Sequence, residues 1–348
     1  MNKTVLKRFF VSSSDNPKSA IQNRKWVGII ALVVAIGVCG ARVDAQQTGK
    51  VFRIGYLSGS TASGSASRLE AFWQEMRKLG WIEGKNITME YRFAEQKLER
   101  GSELAAELAR LKVDLILVDG TGQTRAAKSV TTTIPIVMGT VGDPVGAGLV
   151  ASLARPGGNV TGFASLQPEL NTKRLEILKD AIPNLTRVGF FLGGLAREIQ
   201  LKELRPAALA LKLKLEEIDP QLDPKGLENA FQTAKQKQVG AIITQSIIPF
   251  FAERKRIVEL AGKYRLPAIY PEKGYVDEGG LMSYGIDPTD LFRRAAVYVD
   301  KILKGAKPAD LPVQQATKFE FIINLKAAEQ IGLTIPPDVL ARANQVIR

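Results

Sequence analysis

From Val51 onward the chain alternates short apolar runs with amphipathic stretches, and this rhythm restricts the fold more than any other feature of the sequence. Val51 to Leu57 alternates and reads as a strand. Leu69, Phe72, Trp73, Met76 and Leu79 then share one face of a helix that Ser65 or Ser67 can cap and Gly80 stops. Asn86–Phe93, Val113–Val118 and Ile134–Met138 read as further strands, with helices over Leu98–Leu111 and Thr124–Val130 between them. The second half restarts the pattern. Strands are expected at Arg187–Leu192, Leu213–Ile218, Ala241–Thr244, Ala268–Tyr270 and Gly280–Gly285. Helices are expected over Glu169–Ile182, Glu198–Leu211 (kinked at Pro206), Leu227–Lys237, Phe250–Tyr264 and from Asp287 to Leu303. A late strand at Phe319–Ile323 precedes helices over Leu325–Ile331 and Pro337–Val346. Strands that alternate with helices argue for βαβ units and parallel sheets, hence an α/β protein.

The stretch from Ile134 to Ala164 stands at the middle of this rhythm. A strand opens it, a glycine-rich turn over Gly139–Gly148 carries Asp143-Pro144, and Leu149–Leu153 reads as a short apolar helix ended by Arg155-Pro156-Gly157-Gly158. A strand over Asn159–Phe163 leaves it. Glycines allow positive φ and close backbone approach, so this window reads as the junction of two α/β lobes and the rim of a ligand cleft. In parallel sheets ligands bind beyond the carboxyl ends of the strands. The loops expected there, Ser58–Ser67, Asp119–Gln123 and Gly139–Gly146, are all rich in Gly, Ser, Thr and Asp.

Residues 1–45 carry an export pattern. Lys3, Lys7, Arg8, Lys18, Arg24 and Lys25 precede an apolar run from Trp26 to Val38, and Val43-Asp44-Ala45 offers a cleavage site. The run is shorter than the roughly 20 residues that cross a bilayer, which favours a cleaved signal over a membrane anchor. Cys39 follows Val38, a poor context for lipidation.

The chain has a net charge of +13, much of it in the export segment. Elsewhere basic residues are interleaved with acids, as in Glu253-Arg254-Lys255-Arg256 followed by Glu259, which suits a solvated helix face and not a nucleic-acid surface. There is no histidine, and Cys39 is the sole cysteine. An imidazole base, a Ser-His-Asp triad and a mature thiol nucleophile are therefore excluded, and a zinc site lacks its usual ligands. Carboxylate pairs, Ser-Lys dyads and bound magnesium remain open. Gly146-Ala147-Gly148-Leu149-Val150-Ala151 fits GxGxxA, but Asp143-Pro144 separates it from its strand and no acid ends the next one, so it reads as a turn. Asp143 either pairs with a ligand ammonium or stabilises its own turn. Tyr270 either stacks on a ligand or fills the core.

Gly142 to Phe163, GDPVGAGLVASLARPGGNVTGF, and Leu311 to Arg348 resemble the ABC-transporter substrate-binding proteins of the tryptophan-type family, as do Ile54–Gly59 and Thr131–Pro135. The resemblance runs over Val51–Arg348. It implies a type I periplasmic-binding-protein fold: two Rossmann-like lobes with parallel sheets, joined by three hinge crossings. The crossings are expected near Gly162–Leu166, Ser283–Asp287 and Ala316–Phe319. Residues 51–163 and 286–316 would form the N-terminal lobe, and 164–285 and 317–348 the C-terminal lobe. The ligand residues it implies are Ser58, Thr61, Thr121, Gly122, Thr140 among the Gly139–Gly142 amides, Asp143, Ser246, Tyr270 and Ser283. The Asp119–Gly122 turn differs from the family's usual small-residue turn. The expected protein is a monomeric periplasmic receptor that needs no cofactor, is not an enzyme, and hands a small polar or amino-acid-like ligand to an ABC permease. An exported α/β enzyme using carboxylates or magnesium, and a ligand-sensing module for a membrane partner, are the alternatives.

Overall fold

A computed structural model describes residues 50–193 and 197–348. The expected export segment, residues 1–45 with Cys39, lies outside the described residues.

The first half lays down β1 (Phe52–Ser58), α1 (Ala62–Lys78), β2 (Ile87–Phe93), α2 (Gly101–Arg110), β3 (Leu115–Asp119), α3 (Thr121–Val130), β4 (Ile136–Val141) and β5 (Val160–Ala164). The second continues with α4 (Gln167–Ala181), β6 (Arg187–Phe191), α5 (Arg197–Ala210), β7 (Lys214–Ile218), α6 (Pro224–Gln236) and β8 (Ala241–Thr244). Two short helices follow, α7 (Ile248–Ala252) and α8 (Arg254–Lys263), then β9 (Ala268–Tyr270), α9 (Lys273–Asp277) and β10 (Met282–Ile286). The chain closes with α10 (Pro288–Leu303), β11 (Gln314–Gln315), β12 (Phe319–Asn324), α11 (Leu325–Ile331), α12 (Pro337–Ala341) and β13 (Gln345–Ile347).

These strands form two sheets, each the centre of one α/β lobe. The first has the order β11-β5-β4-β3-β1-β2 and is parallel throughout. The second has the order β13-β12-β10-β9-β8-β6-β7, with one antiparallel pair, β10 against β12. Central strands such as β3 and β8 are buried at every position. Helices on both faces explain why they read as continuous apolar runs instead of alternating ones.

The chain passes between the sheets from β5 to α4, from β10 to α10 and from β11 to β12. The second passage sends α10 back onto α1 and β4, where Leu291, Phe292, Ala295 and Val299 join the first lobe's core. Gly139 is essential to this packing, because a Cβ there would stand 2.6 Å from the Phe292 ring.

Several local expectations are corrected. Helix α1 starts at Ala62, inside the Ser/Gly stretch, because Thr61 Oγ1 accepts from Gly64 N at 3.1 Å and caps it there. Leu149–Leu153 is irregular, bent chain instead of a helix: Gly148 takes φ +68° just before it, and helix propagation does not survive that conformation. The expected helix over Phe250–Tyr264 is broken at Glu253. The last helix stops at Ala341, and Gln345–Ile347 instead adds a parallel strand to β12. Asn344 sets that strand's register, donating its backbone N–H to Phe321 O and accepting from Phe321 N through Oδ1.

Candidate functional site

β3 is apolar until its last residue, Asp119, which is 1% exposed. Gly120 follows with φ +98°, which lets the chain turn sharply into α3. A buried carboxylate is costly unless it is paired and hydrogen-bonded. Asp119 is both. Thr140 Oγ1 donates to Oδ1 at 2.6 Å, Arg68 Nη1 lies 3.1 Å from Oδ2, and Ser58 Oγ donates to Oδ2 at 3.5 Å. The register of β3 against β4 shifts by one residue here, from Val118 opposite Met138 to Asp119 opposite Thr140. This bulge at Gly139 brings the Thr140 hydroxyl to the carboxylate. Arg68, on α1, also donates to Gly64 O at 2.7 Å. Burial, with Asp119's charge adding to it, raises the Tyr56 hydroxyl well above its usual range.

The carboxyl edge of the second sheet faces this network. Gln245 follows β8 and accepts from Gly193 N through Oε1 at 2.9 Å. Ser246 comes next and donates to Glu272 Oε1 at 3.4 Å. Glu272 directly follows Pro271 at the end of β9 and is half-buried. Burial pushes its carboxyl above the usual range; the positive charge of Arg68 opposes this, and Asp119 adds to it. Behind it Arg174 is fully buried, donating to Tyr284 O at 2.7 Å and Asn171 Oδ1 at 2.6 Å. Burial pulls its guanidinium down to about 9, with the Glu272 charge opposing. Asn171 in turn donates to Gln200 Oε1 at 2.6 Å.

Between the two edges lies a cleft of about 770 Å³. Its first wall is polar: Arg68, Asp119, Thr121, Gly122, Gln123 and Thr140. Its second carries the consecutive apolar run Ile247, Ile248, Pro249, Phe250 and Phe251, bordered by the polar side chains of Gln200, Asp219, Gln221, Gln245, Ser246 and Glu272. The walls approach each other at Gly120, where a Cβ would lie 3.5 Å from Ile248 Cδ1. A smaller cavity of about 450 Å³ shares Arg68, Phe251, Glu272, Ile286 and Pro288 with the cleft.

Of the residues expected at the site, Thr121, Gly122, Thr140 and Ser246 line this cleft. Ser58 is buried behind Asp119. Thr61 caps α1. Asp143 accepts from Val145 N at 3.1 Å and Gly146 N at 2.8 Å, so its carboxylate holds its own turn. Tyr270 is buried against Tyr275, their rings stacked with centroids 4.6 Å apart. Ser283 is buried inside β10, paired with Tyr270 and Ile322. Asp119 and Gln123 lie in a loop expected at the ligand edge but were not named as ligand residues, and Arg68, Glu272 and the apolar run were not expected to line the cleft. Asp119 carried a signal, since it is the acid that ends an otherwise apolar strand. Arg68 resembled any solvated helix residue.

Residues 65–347 match the profile of the family described as ABC transporter substrate binding protein. A tyrosine-binding protein from Clostridioides difficile is 28% identical over 273 residues, which span 76% of this chain and 77% of that protein. Among solved structures, a conserved domain protein from Vibrio cholerae superposes with a TM-score of 0.79 at 30% identity, covering 85% of this chain and all of that one. An ABC domain in complex with L-Trp from Streptococcus pneumoniae superposes with a TM-score of 0.76 at 26% identity, covering 84% of this chain and 100% of that one. The two-lobe architecture, the cleft between the carboxyl edges of its sheets and a profile match over most of the sequence lead to one conclusion: the chain belongs to the ABC transporter substrate-binding protein family, with the type I periplasmic-binding-protein fold.

Proposed function

We propose that the protein is an exported, monomeric periplasmic receptor that binds an amino acid with an apolar, preferably aromatic, side chain and delivers it unchanged to an ABC permease. The observation that carries the ligand class is the apolar run of the second lobe set across the cleft from the polar groups of the first. Hydroxyls and backbone N–H groups of Thr121, Gly122 and Thr140 offer partners for a polar head on one side, and Ile247–Phe251 offer an apolar surface on the other. The first-turn N–H groups of α3 have no partner within the helix and favour an anion such as a carboxylate. A cleft of about 770 Å³ is large enough for a ligand of this size. The tyrosine-binding relative and the L-Trp complex point to the same class. Among the described residues no helix is long and apolar enough to cross a membrane. Closing the lobes over the ligand would bury it and create the shape the permease reads.

Calorimetry against the amino acids tests the ligand class. Aromatic amino acids should bind with one-to-one stoichiometry, and Phe251→Ala should weaken the aromatic ligands more than small ones. A preference for sugars or for small polar amino acids would reject the assignment.

A further inference from the structure

Of the three carboxylates that line the cleft, Asp119, Asp219 and Glu272, Glu272 is the one with no ion pair among the described residues. It projects from the second lobe, and its one hydrogen bond among the described residues is the 3.4 Å contact from Ser246. The cations near it make their closest contacts elsewhere, although the charges of Arg68 and Arg174 still favour its ionised form. Arg68, across the cleft on α1, pairs with Asp119 at 3.1 Å. Lys273, the next residue, pairs with Asp277. Arg254, on α8, pairs with Glu278 at 3.0 Å. Arg174, on α4, spends its guanidinium on Tyr284 O, Asn171 and Gln167. Asp119, by contrast, is fully satisfied from within its own lobe.

We infer that Glu272 is the acceptor for the ligand's α-ammonium group and so selects amino acids over molecules that carry only a carboxylate. This rests on the reading of the cleft as an amino-acid site. A half-buried carboxylate with no ion pair of its own gains when a cation docks directly on it, and removing one partner of such a pair costs far more than removing an exposed one. The two ends of a zwitterion are then divided between the lobes: the carboxylate to the α3 amides of the first, the ammonium to Glu272 of the second. A ligand that must touch both draws the lobes together. Burial already disfavours the ionised form of Glu272, in accord with a group that waits for a positive charge.

The test is calorimetry of the wild type and Glu272→Gln with L-tryptophan, L-tyrosine and indolepropionate, which is tryptophan without its amino group. Glu272→Gln should bind the preferred amino acid about 100-fold more weakly or worse. It should bind indolepropionate at least as well as the wild type does, so that the preference for the ammonium collapses. The unliganded variant should melt no lower than the wild type at neutral pH, since a destabilising charge has gone. Equal losses for tryptophan and indolepropionate, or an unchanged amino-acid affinity, would overturn the assignment. Should the variant fail to fold, the wild type decides alone: it must prefer tryptophan to indolepropionate by about 100-fold, and binding the two alike overturns the proposal. A wild type that binds no amino acid at all rejects the underlying reading of the cleft, a different result from binding that ignores Glu272.

Discussion

Arg68 Nη1 and Asp119 Oδ2 stand 3.1 Å apart with both side chains largely withdrawn from solvent, at 11% and 1% exposure. The pair ties α1 to the end of β3 and so fixes the polar wall of the cleft. Breaking a buried ion pair from one side strands the other charge, at a cost of about 3–5 kcal/mol. Asp119→Asn keeps a group for Thr140 to donate to but leaves Arg68 uncompensated. It should lower stability by about 3 kcal/mol or more, read as a shift in the urea midpoint at unchanged slope. Thr140→Val removes one charge-assisted hydrogen bond and should cost about 2 kcal/mol.

Glu272 contributes opposite pH dependences to stability and to binding. Its folded-state carboxyl lies above its usual value, chiefly through burial. The folded state therefore holds its proton over a pH range in which the unfolded chain has lost it. The stability this proton supports is fully present below the ordinary carboxyl value and is lost as pH rises through the raised one. Affinity for an amino acid runs the other way, because the ammonium needs the ionised carboxylate. Thermal melts across the acid to neutral range should show the stability of the unliganded wild type falling with pH relative to that of Glu272→Gln, while calorimetry shows amino-acid affinity rising in the wild type and much less in the variant.

Gly285 lies in β10, and a Cβ there would collide with the Pro271 carbonyl. Pro271 directly precedes Glu272, so an added methyl displaces the carboxylate along with the strand. Gly285→Ala should cost about 1–3 kcal/mol of stability and weaken ligand binding as well. Gly122→Ala provides the contrast, since no atom lies within 4 Å of its added Cβ, and its stability should match the wild type.

Asp143 holds a turn through the N–H groups of Val145 and Gly146. Asp143→Ala should therefore lower the melting temperature modestly, by about 1 kcal/mol of stability, and leave ligand affinity at the wild-type value. A large loss of affinity with unchanged stability would restore Asp143 to the binding site.

The strands were legible because buried parallel strands show as short apolar runs, as in Leu115–Val118 and Ala241–Ile243. What was not legible depended on distant partners. Gln345–Ile347 is a strand only because β12 offers it an edge, set by Asn344. The start of α1 was hidden because Ser and Gly suit loops, and only the Thr61 cap decides that the helix begins among them. At the site the same division holds. Thr121, Gly122, Thr140 and Ser246 were legible as small polar residues at strand ends. Arg68 and Glu272 were not, because each matters only through what the fold places beside it: Asp119 for the first, a place on the cleft wall without an ion pair for the second.

The most direct test of the account is a calorimetric titration of the purified protein with the amino acids at neutral pH, read together with the compaction of the protein by small-angle X-ray scattering. The account predicts one-to-one binding of an aromatic amino acid at micromolar affinity or tighter, and a smaller radius of gyration in the bound state as the lobes close. Absence of binding by every amino acid up to millimolar concentration would contradict it.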